Sequence, residues 1–235
     1  ILDNALHRFR PAVSLEYGGY VGYTTSRMAN QVRAWGGKVV SLEMDPVNVA
    51  IARNIIEFAG LSRVASVQVG HSDDSTDLVL DTYGEESVGL VFMDQRGTKF
   101  HTDLQRLEKL NLLANPCIVI ADNVLNPGAP LYIWRVCSMT HYTTDIVSLR
   151  KFGMADVRDW VTVSVVRRSE SYAQDTEMVP KLISLAKGAD RFRNRARTMP
   201  RNSLNDPAEV LSASFEEEFA RLGVIPSMAV LSAQS

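Results

Sequence analysis

The segment AVSLEYGGYVGYTT, residues 12–25, indicates the fold class, because a short apolar run stands directly before a cluster of glycines. An apolar run of this length that ends in glycines is typical of a buried strand that turns sharply into a helix. The following helix is predicted to stop at Gly36-Gly37. The segment therefore predicts the first strand and helix of an α/β fold.

Further strands alternate with helices along the chain. The predicted strands are residues 12–17, 38–44, 64–69, 88–93 and 117–121, and the later helices begin near Asp45-Pro46, Ser75 and Thr102. Strands and helices that alternate at this spacing form a parallel sheet with helices on both faces. Residues 144–149 and 160–167 have no helix-length segment between them, which predicts an antiparallel edge pair. We therefore predict a doubly wound, mostly parallel α/β domain.

The composition of the 235-residue chain excludes several classes of protein. An apolar share of 46% supports a packed core, and a formal net charge of -2 argues against a global electrostatic grip on nucleic acid. Two cysteines cannot form a disulfide framework, and no apolar run reaches the roughly 20 residues that span a bilayer. These features favour a soluble, cytoplasmic protein, and the alternative is an organellar location, if a targeting segment preceded Ile1 and was removed.

The chain changes character after Arg168. Residues 187–201 are rich in Lys and Arg and predict a solvated basic linker. A capping box at Asp206 then begins a helix, whose apolar face consists of Val210, Leu211, Phe215, Phe219 and Leu222. We predict a domain over residues 1–168 and a C-terminal extension over residues 169–235, with this linker and this amphipathic helix.

The extension leaves more than one role open. The apolar helix face would bind a protein partner or pack onto its own domain. The basic stretch could contact RNA, an anionic lipid or an acidic protein, and RNA is the less favoured of these because only Phe192 is interleaved with the arginines.

Polar side chains follow the predicted strands at their carboxyl ends, where open parallel sheets bind ligands. Glu43 ends the second strand, 21 residues after Gly22. A carboxylate at such a position accepts hydrogen bonds from both hydroxyls of a ribose. Alone, the glycine cluster is equally explained as a tight turn, and Glu43 as a helix-capping acid. Together they favour an adenosine ligand. The acidic turn after the first strand disfavours a pyrophosphate.

A second polar group follows the fourth and fifth strands. Asp94 ends the fourth strand, and Asp122-Asn123 end the fifth. Two carboxylates and one amide oxygen are hard ligands that suit a divalent cation. Each residue alone is better explained as a loop cap or an Asx-turn, whereas their joint occurrence predicts a metal site. The four histidines have no metal-like spacing, and Cys117 is expected in the core.

The motifs, in their order, resemble the catechol O-methyltransferase family of S-adenosylmethionine-dependent enzymes. The resemblance spans residues 11–168 and is carried by LEYGGYVGYT (15–24), LEMDP (42–46), FAGL (58–61), VGHSDD (69–74), FMD (92–94), IADNV (120–124), PGAP (127–130) and HY (141–142). It implies a Rossmann-like methyltransferase fold with a seven-stranded sheet. It also implies S-adenosylmethionine and Mg²⁺ as cofactors, and methyl transfer to a hydroxyl of a small catechol-like or diol substrate.

The resemblance also implies a role for each matching residue. The methionine end of the cofactor would be lined by Glu16, Gly18, Tyr20 and Thr24, the ribose held by Glu43, and the adenine surrounded by Met44, Ser72 and Gln95. Mg²⁺ would be held by Asp94, Asp122 and Asn123, and Asp94 would also border the cofactor. The ion would fix two vicinal hydroxyls and lower the pKa of one of them.

Three departures from the family pattern bear on activity. The place of the family's catalytic lysine is Gly97, which leaves Lys99 as the candidate catalytic lysine. The acidic residue that binds the second substrate hydroxyl is replaced by Val147, with Asp145 two residues earlier. The family's N-terminal helices, which shape the substrate pocket, are nearly absent. The alternative expectation is a catalytically weak or inactive methyltransferase-like subunit with a structural or binding role in a larger assembly.

Overall fold

The computed structural model describes residues 1–151, 154–167, 180–199 and 205–224. The strands are β1 Val13–Tyr17, β2 Lys38–Glu43, β3 Ala65–Val69, β4 Val88–Met93, β5 Leu113–Ala121, β6 Tyr142–Lys151 and β7 Met154–Val166. The helices are α1 Leu2–Phe9, α2 Tyr23–Val32, α3 Pro46–Phe58, α4 Ser72–Tyr83, α5 Gly97–Lys109, α6 Pro130–Ser138, α7 Pro180–Ala196 and α8 Asn205–Arg221. A short 3₁₀ turn covers Arg33–Trp35, and an irregular turn covers Val124–Gly128.

The seven strands form one sheet in the order β3-β2-β1-β4-β5-β7-β6. Strand β1 pairs in parallel with β2 and β4, and β2 pairs in parallel with β3. The predicted doubly wound, mostly parallel sheet with an antiparallel edge pair, β6 and β7, is confirmed. Every residue of β1 is buried, as expected of a parallel strand covered on both faces.

Two compact units make up the chain. The first contains residues 1–96, 102–120 and 165–167, and thus β1 to β4 with α1 to α4. The second contains the described residues of 97–101, 121–164 and 180–224, and thus α6 to α8 with β6 and most of β7. The predicted domain boundary at residue 168 lies outside the described residues and stays a prediction.

Local sequence explains how α3 begins. The Asp45 carboxylate accepts a hydrogen bond of 2.8 Å from the backbone N–H of Val47, and Pro46 occupies the first helical position. Both are preferred there, because the capped N–H has no partner inside the helix and proline has no N–H to lose. The predicted helix start is therefore confirmed, and it places Glu43 just before the helix, at the end of β2.

The prediction of a linker over residues 187–201 is wrong for residues 187–196, because these form the second half of α7. A set of small and apolar side chains on α7 recurs at helical spacing and is buried, namely Leu182, Leu185, Ala186 and Ala189. Arg191 and Arg195 are exposed to water, and the partly buried Arg193 lies 3.7 Å from the carboxylate of Asp190, so the arginine run and the helix are compatible.

The predicted C-terminal helix is confirmed as α8. Its side chains Phe215 and Phe219 are fully buried, whereas Val210 is 68% exposed and Leu222 is 37% exposed. The predicted apolar face is therefore narrower than the sequence pattern indicated. None of the helices among the described residues combines the length and apolarity that a membrane crossing requires.

Candidate functional site

The glycine turn after β1 brings the chain close to the end of β4. Gly18 has a φ of 91°, which favours glycine, and a Cβ at this position would lie 2.9 Å from the carbonyl carbon of Asp94 and from the backbone nitrogen of Gln95. Any side chain here would collide with backbone. The turn and the residues that follow β4 therefore form one continuous backbone surface at the carboxyl end of the sheet.

Glu16 is a fully buried carboxylate at this end of β1. Its Oε2 atom accepts a hydrogen bond from the hydroxyl of Thr25, and its Oε1 atom is buried without a hydrogen-bond partner. Burial raises the pKa of Glu16 to about 7, an effect that the hydroxyls of Ser41 and Thr25 oppose and the charge of Glu43 reinforces. The buried, unpartnered Oε1 atom suits a ligand that brings a hydrogen-bond donor or a positive charge.

Glu43 is held in place by two backbone amides. The backbone N–H of Tyr20 donates to Oε2, and that of Asp45 donates to Oε1, both at 2.9 Å. Each carboxylate oxygen keeps further acceptor capacity, so the pair can receive two neighbouring hydroxyl groups. Tyr20 contributes its backbone to this arrangement, since its side chain is 66% exposed.

Gln95 provides a second unpartnered acceptor in the same unit. Its Nε2 atom donates to Oδ2 of Asp103 at 2.8 Å, which leaves Oε1 as the other end of the amide, buried and without a partner. Met44, which follows β2, is 66% exposed and offers an apolar contact. The roles of Thr24 and of Ser72, whose side chain is not among those described, stay predictions; the buried hydroxyl next to Glu16 belongs to Thr25.

In the second unit, the residues after β5 form a tight turn. Asn123 has a φ of 55°, and its backbone N–H donates to Oδ1 of Asp122 at 2.8 Å. Its side-chain Nδ2 donates to Oδ2 of Asp159 at 2.9 Å. Asp159 was not predicted as a site residue; its only sequence signal is an acidic residue directly before the apolar strand segment 160–167.

The position of the family's lysine is closed by backbone. A Cβ at Gly97 would lie 2.7 Å from the carbonyl oxygen of Gly128 and 3.2 Å from the Cβ of Ala129. A lysine therefore cannot occupy this position unless the turn moves. Lys99 is exposed two residues later, and its catalytic role stays a prediction.

The three predicted metal ligands are divided between the two units. Asp94 follows β4 in the first unit, and Asp122 and Asn123 follow β5 in the second. Within the described ranges, no group of three or more His, Cys, Asp and Glu side chains could hold a metal. The predicted set is of another kind, two carboxylates and one amide, and stays a prediction. Cys117 is fully buried, which confirms the expectation of a core residue.

Solved O-methyltransferases share this fold. The O-methyltransferase from Bacillus cereus, solved in complex with SAH, superposes with a TM-score of 0.62 at 21% identity, over 71% of this chain and 79% of that one. The O-methyltransferase TomG from Streptomyces achromogenes, solved with SAM, gives a TM-score of 0.60 at 18% identity, over 71% and 78%. At these identities the likeness supports the fold alone.

Sequence relatives confirm the resemblance to the catechol O-methyltransferase family. The catechol O-methyltransferase of Sus scrofa is 35% identical over 136 residues, which are 58% of this chain and 73% of that protein. That of Mus musculus is 31% identical over 149 residues, 61% of this chain and 56% of that protein, and the transmembrane O-methyltransferase of Homo sapiens is 34% identical over 143 residues, 60% and 49%. The chain thus spans only about half the length of these last two relatives.

The family model described as O-methyltransferase matches residues 10–152, which include all the predicted cofactor and metal positions. Since this match covers more than half of the chain, and the sheet order and the relatives agree with it, the chain belongs to the O-methyltransferase family.

Proposed function

We propose that this protein binds S-adenosylmethionine and transfers its methyl group to a hydroxyl of a small catechol-like or diol substrate, with the assistance of Mg²⁺. The observation that carries the proposal is the pair of buried acceptor atoms without partners, Glu16 Oε1 and Gln95 Oε1. Buried polar atoms in folded proteins are normally hydrogen-bonded, so an unpartnered pair beside a glycine turn indicates a ligand that brings donors. S-adenosylmethionine carries an ammonium group, an adenine amino group and two ribose hydroxyls.

Glu43 supports the same ligand independently. Its carboxylate is oriented by the backbone N–H groups of Tyr20 and Asp45 before any ligand arrives, so little conformational freedom is lost on binding. In the proposal, Glu43 holds the ribose hydroxyls, Glu16 accepts from the methionine end, and Met44 lies against the adenine.

The residues after β5 fit a hard divalent cation by their donor chemistry. The amide nitrogen of Asn123 is engaged by Asp159, so the amide oxygen is the atom left for a cation. This amide oxygen and the carboxylates of the other two predicted ligands, Asp94 and Asp122, are oxygen donors of the kind that Mg²⁺ prefers. When bound, S-adenosylmethionine supplies an electrophilic methyl group and Mg²⁺ lowers the pKa of a hydroxyl that it binds.

The chain itself contributes mainly positioning. In the proposal, Glu16 and Glu43 orient the cofactor, and Asp122 and Asn123 hold a cation, which is catalysis by positioning. Gly97 carries no group that could remove a proton, and Lys99 is the nearest lysine in sequence. We therefore expect turnover that depends on the metal more strongly than on a protein base.

A second candidate function is supported by the closed backbone at Gly97. The contact with Gly128 leaves no space for the family's lysine, and Val147, at the family's acidic position, is buried. Both fit a methyltransferase-like subunit that binds the cofactor but turns over slowly or not at all. Such a subunit would serve a larger assembly, with a protein partner at the C-terminal extension.

Cofactor binding and turnover can be tested separately. Calorimetric titration with S-adenosylmethionine, with and without Mg²⁺, tests binding without a substrate. Absence of binding under both conditions contradicts the proposed cofactor and therefore the proposed methyl transfer. Methyl transfer from labelled cofactor to a panel of catechols then tests turnover, with Asp94→Ala and a chelator as controls. Binding without transfer favours the second candidate, and transfer that is indifferent to both controls excludes the metal.

A further inference from the structure

The buried carboxylate of Asp159 accepts hydrogen bonds from two residues of the turn that follows β5. Asp159 is fully buried in β7, where an isolated charge would be costly. Its Oδ1 atom accepts hydrogen bonds from the backbone N–H groups of Asn126, at 3.0 Å, and Trp160, at 2.8 Å. Its Oδ2 atom accepts from Nδ2 of Asn123 at 2.9 Å. The bonds from Asn123 and Asn126 join β7 to this turn, and the bond from Trp160 lies within β7.

The hydrogen bond to Asp159 fixes the orientation of the Asn123 side-chain amide. A carboxylate only accepts hydrogen bonds, so the amide must turn its nitrogen toward Asp159 and its oxygen away. The oxygen, Oδ1, accepts no hydrogen bond from any residue that the structure describes. A cation binds the oxygen of an amide and is repelled by its N–H₂ group, so this orientation decides whether Asn123 can be a ligand.

We propose that Asp159 is a positioning residue, which locks the Asn123 amide with its oxygen available to the metal ion. The proposal rests on the proposed function, because it assumes that Asn123 binds a metal. Removal of a neighbouring group that orients a ligand in this way typically weakens metal binding by about 10- to 100-fold.

The C-terminal extension is also hydrogen-bonded to this turn. Nδ2 of Asn126 donates to Oγ of Ser212 at 3.2 Å and to the carbonyl oxygen of Ala208 at 3.3 Å, both on α8. Helix α8 lies beyond residues 10–152, the span of the family match. These two bonds involve Asn126 and not the Asn123 amide. Ser212 therefore provides a matched control.

Replacement of Asp159 by asparagine preserves the shape of the side chain but replaces one accepting oxygen by a donating N–H₂ group. Oδ1 of the new side chain would keep the bonds from Asn126 and Trp160, because the opposite orientation sets its N–H₂ group against two backbone donors. Its N–H₂ group would then face Asn123, whose amide must flip to present its oxygen. The flipped amide offers the metal a donor instead of an acceptor.

The test measures metal binding directly, with Mn²⁺ alone as the probe and free Mn²⁺ read by electron paramagnetic resonance. D159N is expected to weaken binding by about 10- to 100-fold. Ser212→Ala, which leaves the Asp159–Asn123 bond intact, is expected to bind like the wild type. The double variant Asn123→Asp with Asp159→Asn restores one donor facing one acceptor and frees a carboxylate oxygen, so it is expected to regain binding. Asn123→Ala defines the background.

The outcomes separate this inference from the function on which it rests. If the wild type binds no more Mn²⁺ than Asn123→Ala, the metal part of the proposed function fails and the inference fails with it. If the wild type binds and D159N binds equally well, only the inference is overturned. If thermal denaturation shows that D159N is unfolded, the double variant decides: recovery of folding and binding supports the inference, and failure to recover either one overturns it.

Discussion

The stability of the variant Gly97→Ala tests how closely the backbone of Gly128 approaches residue 97, the position of the family's lysine. In Gly97→Ala, the new Cβ would lie 2.7 Å from the carbonyl oxygen of Gly128, about 0.7 Å closer than the 3.4 Å at which ordinary contact begins. The obstacle is backbone, so it cannot be relieved by a change of rotamer. Overpacking of this kind costs about 1–3 kcal/mol, and the smaller entropy loss of alanine returns up to about 1 kcal/mol.

The expected net effect is a free energy of unfolding lower by about 1–2 kcal/mol, and a Tm lower by about 2–8 °C. Gly188→Ala is the matched control, because Gly188 lies inside α7 and its nearest neighbour, Cδ1 of Leu211, would be 3.5 Å from the new Cβ. This control has the entropy gain without the collision, so its Tm should rise by about 1–4 °C.

Thermal denaturation of the two variants beside the wild type checks the reasoning. A Gly97→Ala protein as stable as the wild type, or shifted in the same direction as Gly188→Ala, would refute the proposed close approach. In that case Gly97→Lys could restore a base without displacing the turn. If the expected destabilisation is found, Gly97→Lys should be less stable still, and should not raise methyl transfer.

The remaining predictions concern the cofactor site and α8. Glu43→Gln should weaken S-adenosylmethionine binding by about 10- to 100-fold, measured by calorimetry; equal loss in the exposed control Glu57→Gln would contradict it. Because burial raises the pKa of Glu16 to about 7, from 4.5, the unfolded state binds fewer protons between these values, and stability falls as the pH rises through this window. Glu16→Gln should remove that fall and be more stable by up to about 3 kcal/mol above pH 7; parallel pH profiles in urea denaturation would count against it. Phe215→Ala, at a fully buried ring, should cost about 3–5 kcal/mol, whereas the exposed Val210→Ala should stay within about 0.5 kcal/mol in the same assay.

The strands and the cofactor-facing residues could be predicted because their signals are local. Apolar runs such as residues 88–93 identify buried parallel strands, and a residue that ends such a run must lie at the carboxyl edge of the sheet. Glu43 is predicted in this way, and Glu16 is implied by the family resemblance. Helix α7 was missed because its arginines dominate the composition, although its buried residues recur at the helical period.

The sequence by itself determined the order of strands and helices, the glycine turn and the identity of the polar residues at the strand ends, because each depends on residues within one turn or strand. Only the tertiary structure decided which of these groups have partners. The bond between Asn123 and Asp159 joins residues 36 positions apart, and the approach of Gly128 to Gly97 joins two separate turns. Packing of the folded chain brings these pairs together, and no local pattern encodes it.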